Sequence, residues 1–396
     1  MAKEFLISEL QKELRKINPF GDVISKSDFS KITEWIDTGN YHLNAVFSGD
    51  LFGGIPNNRT ICLAGDSGTG KTFLLLNMVA QAQKMGYYII YYDTEGAVDV
   101  DNIKSFGVDP DQFDHQPVSD IAKFRTSITT VVKQLMEAKE KGSKLPKIMI
   151  CLDSLGMLAT TKEIDDAISG NTAADMTRAK SIRSLFRIIT SDLTGLGIPF
   201  IFTNHTYAST GMFPTVNLSG GGGLIYSASV ILALSKAQIK DGTVQTGIIV
   251  SVKTLKNRFG KPIPIKFHIR WDKGMNPYIG MEEYMNWETC GIQKGNIFSE
   301  KEYEKMSEAD KAKSQEFQHS GETMYFYPKD TARNYIVKHL GVGVPATELF
   351  TERVWTKEVL ETINDKCIKS KFGYGTDGTE IPEIENFLND IEDNVE

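Results

Sequence analysis

The chain has 396 residues, 41% of them hydrophobic and 24% charged, with a net charge of −7. Such a length and apolar content fill a sizeable core and exclude a low-complexity or fully disordered chain, and no apolar run approaches the ~20 residues that a membrane-spanning helix requires. The acidity is local, because eight acidic and no basic residues follow Lys371 (Asp377, Glu380, Glu383, Glu385, Asp390, Glu392, Asp393 and Glu396); the body is close to neutral, and the tail, residues 372–396, reads as a solvated, disordered end.

In chain order, Leu6, Leu10, Leu14 and Ile17 recur at helical spacing and predict a short amphipathic helix stopped by Asn18-Pro19. Glu4, Glu9 and Glu13 interrupt the apolar stretch that a signal peptide needs, so a cytoplasmic location is expected. Residues 1–36 form a small arm without a core of its own. Cys62, Cys151, Cys290 and Cys367 are far apart and lack CxxC spacing, which predicts reduced thiols and no metal site among them.

Strand and helix signals alternate from Thr60 onward. The run Thr60 to Ala64 leads into Gly65-Asp66-Ser67-Gly68-Thr69-Gly70-Lys71-Thr72, and the helical run Phe73 to Met78 follows. This is GxxxxGKT in the strand–loop–helix setting of a P-loop. Its glycines let backbone N–H groups approach a polyphosphate, Lys71 would neutralise the β/γ-phosphates, and the Thr72 hydroxyl would hold Mg2+. The strand Tyr87 to Tyr92 ends in Asp93-Thr94-Glu95, Ile121 to Glu140 is helical, and Lys147 to Leu152 is a strand ending in Asp153-Ser154. A helix over Asp175 to Leu193 precedes the strand Ile198 to Thr203, which ends in Asn204-His205. Near-continuous apolar strands alternating with helices predict an α/β fold, a mostly parallel sheet covered on both faces. The polar residues at the strand ends lie where such sheets bind ligands.

Asp153, on its hydrophobic strand, fits a Walker B carboxylate acting on Mg2+. Glu95 is a candidate general base for an attacking water, with capping of the next helix as the equal alternative. His205 could sense a γ-phosphate or be a structural histidine. Three further strands, Ala228 to Leu234, Gly247 to Lys253 and Ile263 to Trp271, are expected to extend the sheet antiparallel. Glu300 to Gln318 is polar enough to be an exposed helix or disordered.

Met176, Lys180, Arg183 and Arg187 fall at i, i+4, i+7 and i+11, a cationic helical face, with Leu185, Phe186 and Ile189 left for the core. Lys162 to Ala174 is polar and not expected to be compact. Thr206 to Gly223 is a long segment carrying Tyr207, Met212, Phe213 and the run Gly220, Gly221, Gly222, Gly223. Cations beside an aromatic, glycine-bearing loop suit single-stranded nucleic acid, and a generic lid loop is the competing reading.

Thr38-Gly39, Leu43-Asn44, Ser48-Gly49, Gly53-Gly54-Ile55-Pro56, the P-loop, Asp93 and Glu95, Asp153-Ser154, Asn204-His205, Met212-Phe213 and Gly220 to Gly223 occur in the order seen in RecA-family recombinases. Asp175-Met176-Thr177-Arg178-Ala179-Lys180, Ser184-Leu185-Phe186-Arg187, Asn204-His205-Thr206-Tyr207, Ile239-Lys240-Asp241-Gly242 and Asn276-Pro277-Tyr278-Ile279-Gly280 resemble the UvsX recombinases of tailed phages. The resemblance spans roughly residues 37 to 285, which it identifies as a RecA-type ATPase and DNA-binding core, leaving 286–371 as a small C-terminal region.

The resemblance implies an ATP- and Mg2+-dependent strand-exchange protein that forms a helical filament on single-stranded DNA, pairs it with duplex DNA, and serves recombination, repair and replication. Glu95 then matches the catalytic glutamate and Asp99 an acidic residue on the adenine. Residues 162–174 and 206–223 match the two DNA-binding loops. Lys256 and Arg258 match cations that reach the neighbouring subunit's ATP. The arm would dock on the adjacent subunit, the tail would moderate DNA access, and a loader and a single-stranded-DNA-binding protein would be partners. Two departures stand out: His205 replaces a glutamine of bacterial RecA proteins, and Arg258 replaces a lysine, keeping the charge and gaining a bidentate fork. The rival readings are a RecA-fold motor such as a ring helicase and a regulatory ATPase assembly that ignores DNA.

Overall fold

The computed structural model describes residues 2–18, 20–170, 177–208, 216–218, 226–272 and 274–374. The helix α1 (Ala2–Ile17) carries Leu6, Leu10, Leu14 and Ile17 exposed along it. Strand β1 (Trp35–Ile36) pairs with β2 (Ile55–Pro56) around α2 (Tyr41–Ser48). Sequence periodicity misses α2 because it is buried on nearly every side, from His42 to Phe47, and so shows no polar face.

The nucleotide-binding half follows as β3 (Thr60–Gly65), α3 (Lys71–Lys84), β4 (Tyr88–Asp93), α4 (Val100–Ser105), β5 (Phe113–Pro117), α5 (Ile121–Glu140), β6 (Ile148–Asp153), α6 (Thr161–Ser169), α7 (Arg178–Leu196) and β7 (Phe200–Asn204). A short hairpin, β8 (Thr206–Ala208) with β9 (Val216–Leu218), precedes the long strands β10 (Val230–Asp241) and β11 (Val244–Asn257), then β12 (Ile265–Arg270). The eight-stranded sheet has the order β12-β11-β10-β3-β7-β6-β4-β5. Strict alternation divides its strands between two cores. Leu63, Tyr91, Met149, Cys151, Ile201 and Leu232 pack on one face with α2 and α3, and Ala64, Tyr92, Ile150, Leu152, Phe202 and Ile231 pack on the other with α5 and α7.

Two expectations are corrected. Strand β10 enters parallel to β3, with Val230 beside Ile61 and Leu234 beside Gly65, and only β11 and β12 run antiparallel. The chain returns from β8 and β9 to the opposite end of the sheet before β10 begins, which sets that direction. Residues 161–169 are a helix, because Thr160 and Glu163 form a reciprocal capping box.

The C-terminal segment builds a second, antiparallel sheet of five strands in the order β14-β15-β13-β16-β17: β13 (Ile292–Ser299), β14 (Gln315–His319), β15 (Glu322–Pro328), β16 (Asn334–Val337) and β17 (Val342–Pro345). The polar stretch Glu300 to Gln318 is thus two single helical turns leading into an edge strand. Trp287 stacks on Phe326 with ring centroids 3.9 Å apart. Trp355, helix α8 (Lys357–Ile363) and the turns after it return to the hydrophobic cluster of α2 and α3, which Trp355, Ile363, Ile368 and Phe372 join.

His42 lies in this return. It is fully buried, its Nε2 is 2.9 Å from the Tyr284 hydroxyl, and Lys371 donates to the same hydroxyl at 3.3 Å. Burial first, and then the Lys371 charge, push His42 down to about 3 from 6.5. The unfolded chain therefore binds a proton that the native state refuses, so stability present above about pH 6.5 is lost as pH falls toward about 3. At about pH 5 the loss is roughly 2 kcal/mol. Denaturant titrations across this range should show that slope in the native sequence and a flatter one in His42→Phe.

Candidate nucleotide site and cationic cleft

The P-loop leaves β3 at Gly65, where a side chain would meet the Leu234 carbonyl oxygen at 2.6 Å. Gly70, at φ 90°, caps α3 in the left-handed region without a side chain on the first-turn amides, so these point into the loop as anion donors. Lys71 is nearly buried and donates to the carbonyl oxygens of Gly65 and Asp66, each at 2.9 Å. Burial lowers its pKa against the opposing pull of Asp153, Glu95 and Asp66. Lys236 holds the crest of the loop, donating to Ser67 O at 2.9 Å.

Strand order brings the next groups in. Because β6 lies between β7 and β4, with β3 on the far side of β7, the Asp153 carboxylate receives the hydroxyls of Thr72 at 2.6 Å, Tyr91 at 3.0 Å, and Thr203. Desolvation, with Asp153 close by, raises the Tyr91 phenol well above its ordinary range and keeps it a donor. Thr72 and Asp153 form the hard-oxygen pair that Mg2+ with retained waters requires, so the residues fit that ion.

Asp93 and Glu95 divide the roles that the sequence leaves open between them. Asp93 Oδ1 accepts the backbone N–H groups of Glu95 at 3.0 Å, Gly96 at 2.8 Å and Ala97 at 3.3 Å, while α4 is capped by Asp99 through Asn102 N at 2.8 Å. The Glu95 side chain caps no helix among the described residues. Its Oε1 accepts the Ser154 hydroxyl at 2.7 Å and faces His205 Nε2 at 3.3 Å, with about a third of the side chain open to solvent. Thr206, at the start of the hairpin, donates to Asp66 Oδ1 at 2.8 Å and ties the P-loop to that hairpin.

Lys256 and Arg258 lie elsewhere. Lys256 pairs with Ile231 near the start of β10, and Arg258 lines a cleft with Arg59, the residue just before β3. The P-loop begins at the other end of β3, and its six residues span roughly 20 Å. An arginine cannot bridge that distance. The cleft, about 550 Å3, also contains Arg183, Arg187, Tyr226 and Phe29, and among the described residues no acidic side chain lines it. Lys180, Arg183 and Arg187 are exposed along α7 while Leu185, Phe186 and Ile189 are buried beneath. The Tyr207 backbone is in β8; Met176, Met212, Phe213, Gly220, Gly221, Gly222 and Gly223 lie outside the described residues.

The RecA N-terminal domain family matches residues 8–276. The chain belongs to the RecA family. It is 36% identical to a recombination and repair protein of Enterobacteria phage T4 over 60% of each chain. It is 26% identical to protein RecA of Prochlorococcus marinus over 69% of each, and 29% identical to protein RecA of Fusobacterium nucleatum over 61% of each. The matched part thus spans about three fifths of the phage relative's length.

Membership accounts for the P-loop and the two carboxylates, but several groups at this RecA-type site had no sequence signal. Tyr91 and Thr203 are ordinary strand residues until the sheet order places their hydroxyls on Asp153, and Ser154, visible in the sequence only as the neighbour of Asp153, gains its role when its hydroxyl donates to Glu95. Trp271, directly after β12, is 63% exposed.

Proposed function

We propose that this chain is a DNA-dependent ATPase and recombinase: it assembles as a helical filament on single-stranded DNA, pairs it with a homologous duplex and exchanges strands. The observation that carries the reading is the division of the site. Lys71, Thr72, Asp153 and Glu95 gather at one end of the parallel strands, while Lys256 and Arg258 project from the other. A head-to-tail stack of copies brings the two halves together, and such heterologous contacts generate helical filaments where the rotation from copy to copy does not close into a ring.

In this reading ATP is the substrate, held by the loop from Gly65 to Thr72 with Asp99 toward the base. Mg2+, held by Thr72 and Asp153, would neutralise phosphate charge. Glu95 orients water, His205 links that carboxylate to the loop that follows it, and the neighbour's Lys256 and Arg258 stabilise developing charge. ATP binding closes the interface and hydrolysis releases it. DNA runs along Lys180, Arg183 and Arg187 and the segment 206–223, with Tyr207, Met212, Phe213 and the glycines at 220–223 against the bases. The arm at residues 1–36 docks on the next copy, and a loader and a single-stranded-DNA-binding protein serve the filament. The setting is a cell's cytoplasm; no helix among the described residues is long and apolar enough to cross a membrane.

ATP hydrolysis measured with and without single-stranded DNA, followed by electron microscopy with a non-hydrolysable analogue, tests this. Stimulated turnover and helical filaments are expected. Turnover indifferent to DNA, with rings or discrete particles, would favour a motor or a regulatory assembly. The placement of DNA has its own test: Lys180→Ala with Arg187→Ala should lower the slope of log K against log salt by roughly 1.4 to 1.8 units, as two lost phosphate contacts require. An unchanged slope removes α7 from the DNA path.

A further inference from the structure

We propose that His115 is a positioning residue for Glu95, acting through Asp93; the inference rests on the reading of Glu95 as the group that orients the attacking water. The chain of contacts is continuous. His115 Nε2 donates to Asp93 Oδ2 at 3.0 Å, and the other oxygen of the same carboxylate gathers the backbone N–H groups of residues 95 to 97. Asp93 is 3% exposed, so its orientation is set by its partners and not by water. Burial alone would raise its pKa; the His115 bond and the three backbone donors outweigh that and lower it, holding the carboxylate charged. The Glu95 backbone therefore hangs on an anion whose second oxygen is fixed from β5.

Among the described residues, Asp93 is the side-chain partner that His115 serves. Strand β5 is held to β4 by backbone pairing, with His115 beside Tyr91, and the His115 side chain is 41% exposed at the edge of the sheet. Removing the imidazole leaves the strand in place and unties Asp93 Oδ2, so that the carboxylate, held then only by the N–H groups of the turn, can shift together with the turn that carries Glu95. Displacement of a reacting group on the ångström scale costs up to about 100-fold in rate.

The test compares His115→Leu and His115→Gln, with Glu95→Gln in parallel, in Mg2+-ATP hydrolysis on single-stranded DNA and in thermal unfolding. Glutamine places its Nε2 where the imidazole Nε2 lies. His115→Leu should lower kcat about 10-fold with KM and Tm nearly unchanged, and His115→Gln should return kcat to within about 3-fold of the native value. A kcat in His115→Leu within about 2-fold of native, or a glutamine variant as slow as the leucine variant, overturns the proposal. If Glu95→Gln itself keeps its turnover, the reading of Glu95 fails and this inference with it. Loss of turnover in Glu95→Gln beside a normal His115→Leu sinks the inference alone.

Discussion

Glu95→Gln should lower ATP turnover by about 100- to 10,000-fold while nucleotide binding and assembly on DNA persist. The separation follows from what holds the residue. Its backbone N–H is anchored by Asp93 and not by its own carboxylate, and an amide oxygen can still accept the Ser154 hydroxyl that Oε1 accepts now, at 2.7 Å. The variant therefore keeps the shape of the turn and loses the negative charge that polarises water. Phosphate binding rests on the P-loop amides and Lys71, which the substitution does not touch. Single-turnover hydrolysis and analogue binding on the same preparation measure the two effects apart. Turnover near the native rate would remove Glu95 from its role.

The second large effect is a rescue. Lys256→Ala with Arg258→Ala should be nearly inactive alone, as should Glu95→Gln, and an equimolar mixture of the two proteins should regain up to about a quarter of native turnover. The physical basis is the length of β3, which separates Arg258 from the P-loop of its own chain by more than an arginine can reach. If each site joins the Glu95 half of one copy to the cations of the next, random mixing makes about one interface in four with both halves intact. A site completed within one chain predicts no rescue. ATP turnover of the mixture, read against each variant alone at the same total concentration, decides between them.

The nucleotide loop was legible because everything it needs is contiguous: strand, three glycines, lysine, hydroxyl and helix follow one another from Thr60 to Met78. Asp153 was legible for a similar reason, as a carboxylate ending an apolar strand in an alternating fold. The cationic face of α7 came from periodicity, and Lys180, Arg183 and Arg187 are exposed along it. Periodicity failed where burial is not one-sided. Helix α2 is buried around most of its surface, His42 and Asn44 included, and the edge strand β5 shows only Phe113 to the core.

The sequence by itself determined the phosphate chemistry and the alternating α/β core, since both are written in neighbouring residues and in side-chain period. The tertiary structure alone decided that Tyr91, Thr203 and Thr72 share one carboxylate, that His115 holds Asp93, and that Lys256 and Arg258 stand a strand's length from the loop they are expected to serve. Those relations depend on the order in which strands lie side by side. Sheet order joins residues dozens to more than a hundred positions apart, and no local spacing encodes it.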